Sequence, residues 1–175
     1  MTKRRQTYPL LVDYGRSAKK GIKAGRYNSV NFDIAFPKFP TSQEGTAEVE
    51  MERVFDIALK FPTSQEGTAE VEMELIHLNR YISIDKALCK LYDMGYRPAE
   101  FCELLAFGEQ YPEVQRHFWI LALGSVYRDQ DGYRSVPLLF GNKFERYLYL
   151  DDAEDHWDGY FRFAAVRYPD DVEGH

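Results

Sequence analysis

Cysteine is scarce in this chain, which has 2 among its 175 residues. Cys89 and Cys102 stand far apart, and neither belongs to a C-x-x-C pair. A structural zinc site or a redox-active dithiol needs closely spaced thiols, and a disulfide framework needs more of them. The cysteine content therefore predicts two reduced thiols and argues against zinc binding and thiol redox chemistry.

Long apolar runs are also missing. Lys3, Arg4 and Arg5 precede the apolar residues 8–12, but this run is far too short for a signal peptide or a membrane span. We therefore expect a cytoplasmic protein without membrane contact.

The motifs of common catalytic and cofactor sites do not occur. The chain has no glycine-rich phosphate loop, and Ser125 lacks the second glycine of a nucleophile elbow. His77, His117 and His156 stand singly, and the acidic stretch 151–158 lacks the alternation of a calcium loop. We therefore predict no catalytic residue, no metal site and no cofactor.

The composition is that of a globular domain, with 45% hydrophobic and 15% aromatic residues. The net charge of -6 is uneven: residues 1–26 carry eight basic residues and one acid, a balance of +7, which leaves -13 for the rest. We therefore predict a basic N-terminal arm over residues 1–25, one domain over residues 26–168 and a tail over residues 169–175.

The hydrophobic pattern predicts an α+β fold, in which a two-helix hairpin packs on a mainly antiparallel sheet. Residues 26–37 are predicted as a strand. Ser83 is expected to cap the first helix and Gly95 to end it, while Pro98 is expected in the first turn of the second helix, which ends at Gly108.

Strands dominate the sequence from Phe118 onward. The dipeptides at 131–132 and 141–142 predict turns between strands, and the first of these, Asp-Gly, is a strong hairpin signal. Residues 160–168 alternate as a closing strand, with Phe161, Phe163 and Ala165 on one side.

Two segments carry a resemblance to known proteins: GYRPAEFCELLAFG at 95–108 and YFRFAAVR at 160–167, preceded by Trp157. The chain resembles a family of small bacterial proteins that shares these segments and has no assigned activity. More remotely, Gly95, Arg97, Pro98 and Glu103 look similar to a helix start in C-type-lectin-like domains, although the spacing departs by one residue and the calcium signatures are missing. The resemblance therefore implies a fold and no function.

The peptide KFPTSQEGTAEVEME occurs twice, at 38–52 and again at 60–74, without one difference. Because even the polar residues match, we interpret the repeat as a recent or engineered duplication, not as a solenoid unit. Residues 69–75 alternate as a strand with the acids toward water, whereas residues 47–58 carry a helical stripe. We expect the second copy to occupy the single strand position, and the first to form an extra helix or an extruded segment.

Two functions from different classes remain open. The first, which we prefer, is a non-catalytic binding or interaction module for an unspecified protein or small ligand, through aromatic and arginine side chains of the last strands. Its candidate binding residues are Tyr127, Arg128, Tyr133, Arg134, Arg146 and Trp157. The second is a nucleic-acid-binding protein that uses the basic residues Lys3, Arg4, Arg5, Lys19, Lys20 and Lys23. A hydrolase ranks third, and the oligomeric state is left open.

Overall fold

A computed structural model describes residues 5–31, 65–78, 81–154, 157 and 159–168. Its strands are β1 (Thr7–Asp13), β2 (Ser29–Asn31), β3 (Thr68–Ile76), β4 (Tyr96–Pro98), β5 (Trp119–Leu121), β6 (Tyr127–Arg128), β7 (Arg134–Gly141), β8 (Arg146–Asp152) and β9 (Phe161–Arg167). Its helices are α1 (Ala18–Gly25), α2 (Ile84–Asp93) and α3 (Phe101–Gln110), with a short 3-10 turn at Val114–Arg116.

All of these strands join one mixed sheet in the order β1-β3-β9-β5-β7-β8-β2, with β4 beside β9 and β6 beside β7. The pairs β2–β8 and β5–β9 are parallel, and the other pairings among the described strands are antiparallel. The α+β class expected from the sequence is therefore present.

The sheet separates two hydrophobic cores, because neighbouring residues of one strand point to opposite faces. On the first face, Ile120 and Ala164 pack with side chains of α1 and α3. On the second face, Leu121 and Phe163 pack with side chains of α2 and with Trp157. We call these the first and second faces of the sheet below.

The helices follow the prediction in part. Ser83 stands at the N-cap position of α2, but its side chain makes no capping hydrogen bond. Gly95 has a φ of +86° just after the helix, which favours glycine. Pro98, however, lies in β4, and α3 begins only at Phe101, with Glu100 as its cap. The prediction for Pro98 is wrong because residues 96–98 pair with β9 instead of forming a helical turn. The hairpin is not seen, since α2 and α3 contribute to different cores.

The second half of the sheet matches the sequence more closely. The predicted turns lie between β6 and β7 and between β7 and β8, and β9 alternates as expected. Gly132 has a φ of +86°, and the Asn142 side chain accepts hydrogen bonds from two backbone N–H groups of its turn. Of the strand predicted over residues 26–37, only residues 29–31 form β2, residues 26–28 precede it without strand structure, and residues 32–37 lie outside the described part of the chain.

The second copy of the repeated peptide forms most of β3, which lies between β1 and β9 in the sheet. Met73 is buried, and Glu70 and Glu72 are exposed, as the alternation predicts. Glu74 is buried instead, so the expectation that all the acids face water is wrong. The first copy lies outside the described residues.

Residues 7–25, expected to belong to a basic arm, lie in the same sheet and core as the rest. Strand β1 pairs with β3 over seven residues, and Leu10, Val12 and Ile22 are buried in the first core. Because Tyr8, Leu10 and Val12 of β1 share the face that packs on the first core, this segment packs although it carries many cations. How the chain divides into domains stays a prediction.

No helix among the described residues is both long enough and apolar enough to cross a membrane.

Candidate functional site

The six residues predicted as a binding surface do not form one surface. Arg128 and Tyr133 are exposed near the turn between β6 and β7, and Tyr127 packs partly against the first core. Arg134 forms an ion pair of 2.6 Å with Glu154. The remaining two, Arg146 and Trp157, are buried, and on opposite faces of the sheet.

Arg146 is a structural residue of the interior. Its guanidinium donates hydrogen bonds to the carbonyl oxygens of Gly25 at 2.7 Å and Gly108 at 2.6 Å. These carbonyls belong to the last turns of α1 and α3, where the helix dipoles are negative. A third hydrogen bond goes to the Gln115 side chain, and the cation lies over the Tyr27 ring. Burial lowers the pKa of Arg146. The prediction that Arg146 faces outward is therefore wrong.

Glycine is required at position 108 for this packing. A Cβ atom there would come within 2.1 Å of the Tyr27 hydroxyl oxygen. The absence of a side chain thus lets Tyr27 reach between the two helices and lie beneath Arg146.

Trp157 is also a core residue, with 1% of its surface exposed. Its indole N–H donates a 2.8 Å hydrogen bond to the carboxylate of Asp151, and its ring contacts Phe163. A buried indole needs such an acceptor for its N–H group. Trp157 therefore cannot contact a ligand on the surface of this structure.

A different group of aromatic residues lies together on the second face, at the end of the sheet where β5 and β9 begin. It consists of Trp119, Phe140, Tyr147, Tyr149 and Phe161, which we call the aromatic surface. The strand registers place all five on this face. Trp119 and Phe161 lie two residues before Leu121 and Phe163, which belong to the second core. Tyr147 and Tyr149 pair with Phe140 and Leu138, which also pack in that core.

The rings of the aromatic surface contact one another without a gap between them. The Trp119 centroid lies 4.8 Å from that of Phe140 and 5.4 Å from that of Phe161. Phe140 is 5.0 Å from both tyrosine rings. Trp119 is 42% exposed, and the other four are half-buried. The arrangement is a continuous layer of rings, not a cage with a central void.

Few described charges border this layer. The Tyr147 hydroxyl donates a short hydrogen bond to the Glu145 carboxylate, and Lys143 lies over the exposed Phe144 ring at the tip of the β7–β8 turn. The Tyr149 hydroxyl and the Ser29 hydroxyl are 3.3 Å apart. The Arg162 guanidinium donates a 3.2 Å hydrogen bond to the backbone carbonyl of Phe161. Charges of both signs thus lie near the layer, together with uncharged hydroxyl groups.

Two buried carboxylates, one on each face, each form a triad with a tyrosine and an arginine. On the first face, Glu103 accepts hydrogen bonds from the Tyr14 hydroxyl at 2.8 Å and from both terminal nitrogens of Arg97 at 2.8 and 2.6 Å. The backbone N–H of Glu100 donates a further bond to it. The hydrogen bond with Glu103 raises the pKa of Arg97, and burial followed by this carboxylate raises that of Tyr14.

On the second face, Glu74 accepts hydrogen bonds from the Tyr96 hydroxyl at 2.6 Å and from Arg167 at 2.9 Å. Burial alone would raise the pKa of Glu74, but the hydrogen bonds from Tyr96 and Arg167, with the charges of Arg167 and Arg5, outweigh burial and lower it. Both carboxylates are therefore bound by side chains of the protein itself.

The residues predicted for nucleic acid lie elsewhere. Lys19, Lys20 and Lys23 are exposed on α1, which packs on the first face, and Arg5 is exposed near Tyr96. Lys3 and Arg4 lie outside the described residues. The sheet thus separates Lys19, Lys20 and Lys23 from the aromatic surface. Within the described part of the chain, no group of three or more His, Cys, Asp or Glu residues could hold a metal ion.

Comparison of the chain with protein-family models, with curated proteins and with solved structures gives no match.

Proposed function

We propose that this protein is a non-catalytic binding module, and that its aromatic surface holds an apolar, uncharged segment of another protein. The observation that carries the proposal is the continuous layer of five rings, in which Trp119 is 42% exposed and contacts both Phe140 and Phe161. Exposed contiguous apolar patches mark interaction sites, and tryptophan and tyrosine dominate the energy of protein interfaces.

The charge of the aromatic surface supports an uncharged partner. The Glu145 carboxylate binds the Tyr147 hydroxyl and the Arg162 guanidinium donates to the Phe161 carbonyl, so an acid and a base beside the rings already have partners in the protein. A strongly charged partner would gain little from this balance, whereas an apolar segment would remove ring surface from water.

The two carboxylates of the buried triads support a non-catalytic role. Glu103 and Glu74 are held by arginine and tyrosine side chains in fixed hydrogen bonds. A general acid or base needs instead a free side in contact with the substrate. We therefore assign them to stability.

The structure offers less support for nucleic-acid binding. Single-strand binding combines stacking rings with cations that track the phosphates on the same surface. Here Lys19, Lys20 and Lys23 stand on the side of the sheet opposite to the rings. The C-type-lectin-like arrangement stays a proposal about the fold, and the hydrolase alternative gains no support from the geometry.

Peptides selected from a random display library on the full-length protein test the proposal. Trp119 is the exposed tryptophan and Trp157 the buried one, so peptide binding should protect one of the two from acrylamide quenching. We expect apolar or aromatic peptides, and a loss of affinity of about 10-fold or more in Trp119→Ala.

Tyr133→Ala is the matched control, since Tyr133 is 50% exposed and lies outside the aromatic surface. Equal weakening by both substitutions, unchanged affinity in Trp119→Ala, or selection of uniformly charged peptides would each contradict the proposal.

A further inference from the structure

The outer edge of β1 is the end of the sheet order, where a strand normally presents unpaired backbone groups. Along this edge, Leu11 donates its backbone N–H to the Gln110 side-chain oxygen at 3.1 Å, and its carbonyl accepts from the Gln110 amide nitrogen at 2.7 Å. Gln110 thus pairs with Leu11 as a neighbouring strand would.

The outward carbonyls on either side of Leu11, those of Pro9 and Asp13, are also bound. Successive residues of a strand point to alternate neighbours, so residues 9 and 13 share the outward direction of Leu11. Pro9 has no N–H group, and its carbonyl accepts a hydrogen bond from the Tyr111 hydroxyl. The carbonyl of Asp13 accepts from the Arg16 N–H at 3.1 Å.

Tyr111 is held in place for this contact. Its ring lies 5.1 Å from the ring of Tyr8 and 5.4 Å from that of Phe107, between β1 and α3. The end of α3 therefore brings two side chains onto the strand edge, one with a carboxamide and one with a hydroxyl.

We propose that the β1 edge is a latent strand-pairing surface, which Gln110 and Tyr111 keep closed, and that its partner after opening is β1 of a second copy of this chain. A symmetric antiparallel pair centred on Leu11 places Leu11 opposite Leu11 and Pro9 opposite Asp13. The two Leu11 residues would exchange their N–H···O bonds, and each Asp13 N–H would reach a Pro9 carbonyl.

The chemistry of the edge favours this register. The position opposite the Asp13 carbonyl is Pro9, which has no N–H to donate, and that carbonyl is already bound by Arg16. In this register, every backbone N–H and C=O group of Pro9, Leu11 and Asp13 has a partner. The register also brings together two Leu11 side chains, each 55% exposed in the single chain.

Sedimentation velocity over a concentration series compares the Gln110→Ala variant with the unaltered protein. We expect the unaltered protein to stay free of this pairing and the variant to form a dimer as its concentration rises. Tyr111→Phe, which removes only the hydroxyl, should promote dimers more weakly. Gln130→Ala, the same change at an exposed glutamine of the β6–β7 turn, is the control.

Cross-linking reports the register. In a Cys89→Ser, Cys102→Ala background with Gln110→Ala, Leu11→Cys should give a disulfide-linked dimer, because directly opposed hydrogen-bonded residues lie about 5.5 Å apart. Thr7→Cys should not, since this register places Thr7 opposite Gly15. A folded Gln110→Ala variant that remains monomeric, or a dimer that cross-links through Thr7 and not through Leu11, would overturn the proposal.

Discussion

The two faces of the sheet carry the same three side-chain types around a buried carboxylate, but in different surroundings. Glu103 and Glu74 each bind one tyrosine and one arginine. On the first face the Arg97 side chain is 19% exposed, whereas on the second face the Arg167 side chain is 51% exposed.

This difference in arginine exposure determines how much each triad contributes to the free energy of unfolding. A mostly buried cation that loses its carboxylate has little water to replace it, whereas a half-exposed cation is solvated. Glu103 also closes the start of α3, because it accepts the Glu100 N–H. The first-face triad is therefore expected to matter more for folding than the second-face triad.

Removal of Glu103 is expected to have the largest effect. Glu103→Leu leaves Arg97, Tyr14 and the Glu100 N–H without their acceptor, which should lower the free energy of unfolding by about 3–5 kcal/mol. Urea denaturation measures this loss. Adding Arg97→Met should recover part of it, since the double variant has no unpaired buried charge. A loss below about 1 kcal/mol in the single variant would refute the structural role.

Removal of the Glu74 charge is expected to cost less, about 1–3 kcal/mol for Glu74→Gln, because water reaches Arg167. The pKa of Glu74 is lowered by folding, so its stabilisation is present above the unfolded value near 4.5 and is lost as pH falls through the folded value. The denaturation midpoint of the unaltered protein should therefore fall more steeply with acid than that of the variant.

Glu72→Gln is the matched control for this comparison, since Glu72 is exposed on the same strand. Its acid dependence should equal that of the unaltered chain. If Glu74→Gln also keeps the full acid dependence, Glu74 is not the group that titrates.

Deletion of residues 53–74 should have the smallest effect. The deletion joins the first copy of TAEVEME to Leu75, which restores the sequence of β3 and supplies Glu52 at the position of Glu74. A shorter connection changes the loop-closure free energy by less than about 1 kcal/mol. Urea and acid denaturation should give midpoints close to those of the full chain, and an unfolded product would refute the duplication hypothesis.

The sequence beyond the repeat explains why the second copy suits β3. Leu75 and Ile76 follow it, and Ile76 is fully buried in the second core. The first copy is followed by Arg53 and Val54. An arginine at the position of Leu75 would bring a charge against the first core, so the residues after the repeat favour the second copy.

Local signals predicted local features well. The helix start at Ser83, the Asp131-Gly132 turn and the alternation of β9 depend on residues close in sequence, and the structure contains all three, although the Ser83 side chain makes no capping hydrogen bond. Burial of Glu74 and Arg146 could not be predicted in this way. Glu74 pairs with Arg167 across 93 residues, and Arg146 with Gly25 across 121, so only the folded sheet brings the partners together.

The aromatic surface could be predicted from the sequence in part. Aromatic residues are frequent in the last predicted strands, and the alternating YLY at 147–149 indicates two tyrosines on one side of a strand. Which strands stand side by side, and hence that Trp119 and Phe161 join these tyrosines, depends on the parallel pairing of β5 with β9. That pairing has no local signal.

Strand β4 is only three residues long, yet its position is fixed by chemistry from both sides. Tyr96 belongs to the second-face triad and Arg97, its neighbour, to the first-face triad. A slip by one residue would turn Arg97 toward Glu74, which already has Arg167, and Tyr96 toward Glu103, which already has Tyr14. The Tyr96-Arg97 dipeptide therefore fixes the register of β4 against β9, and it ties the two cores to each other through one short strand.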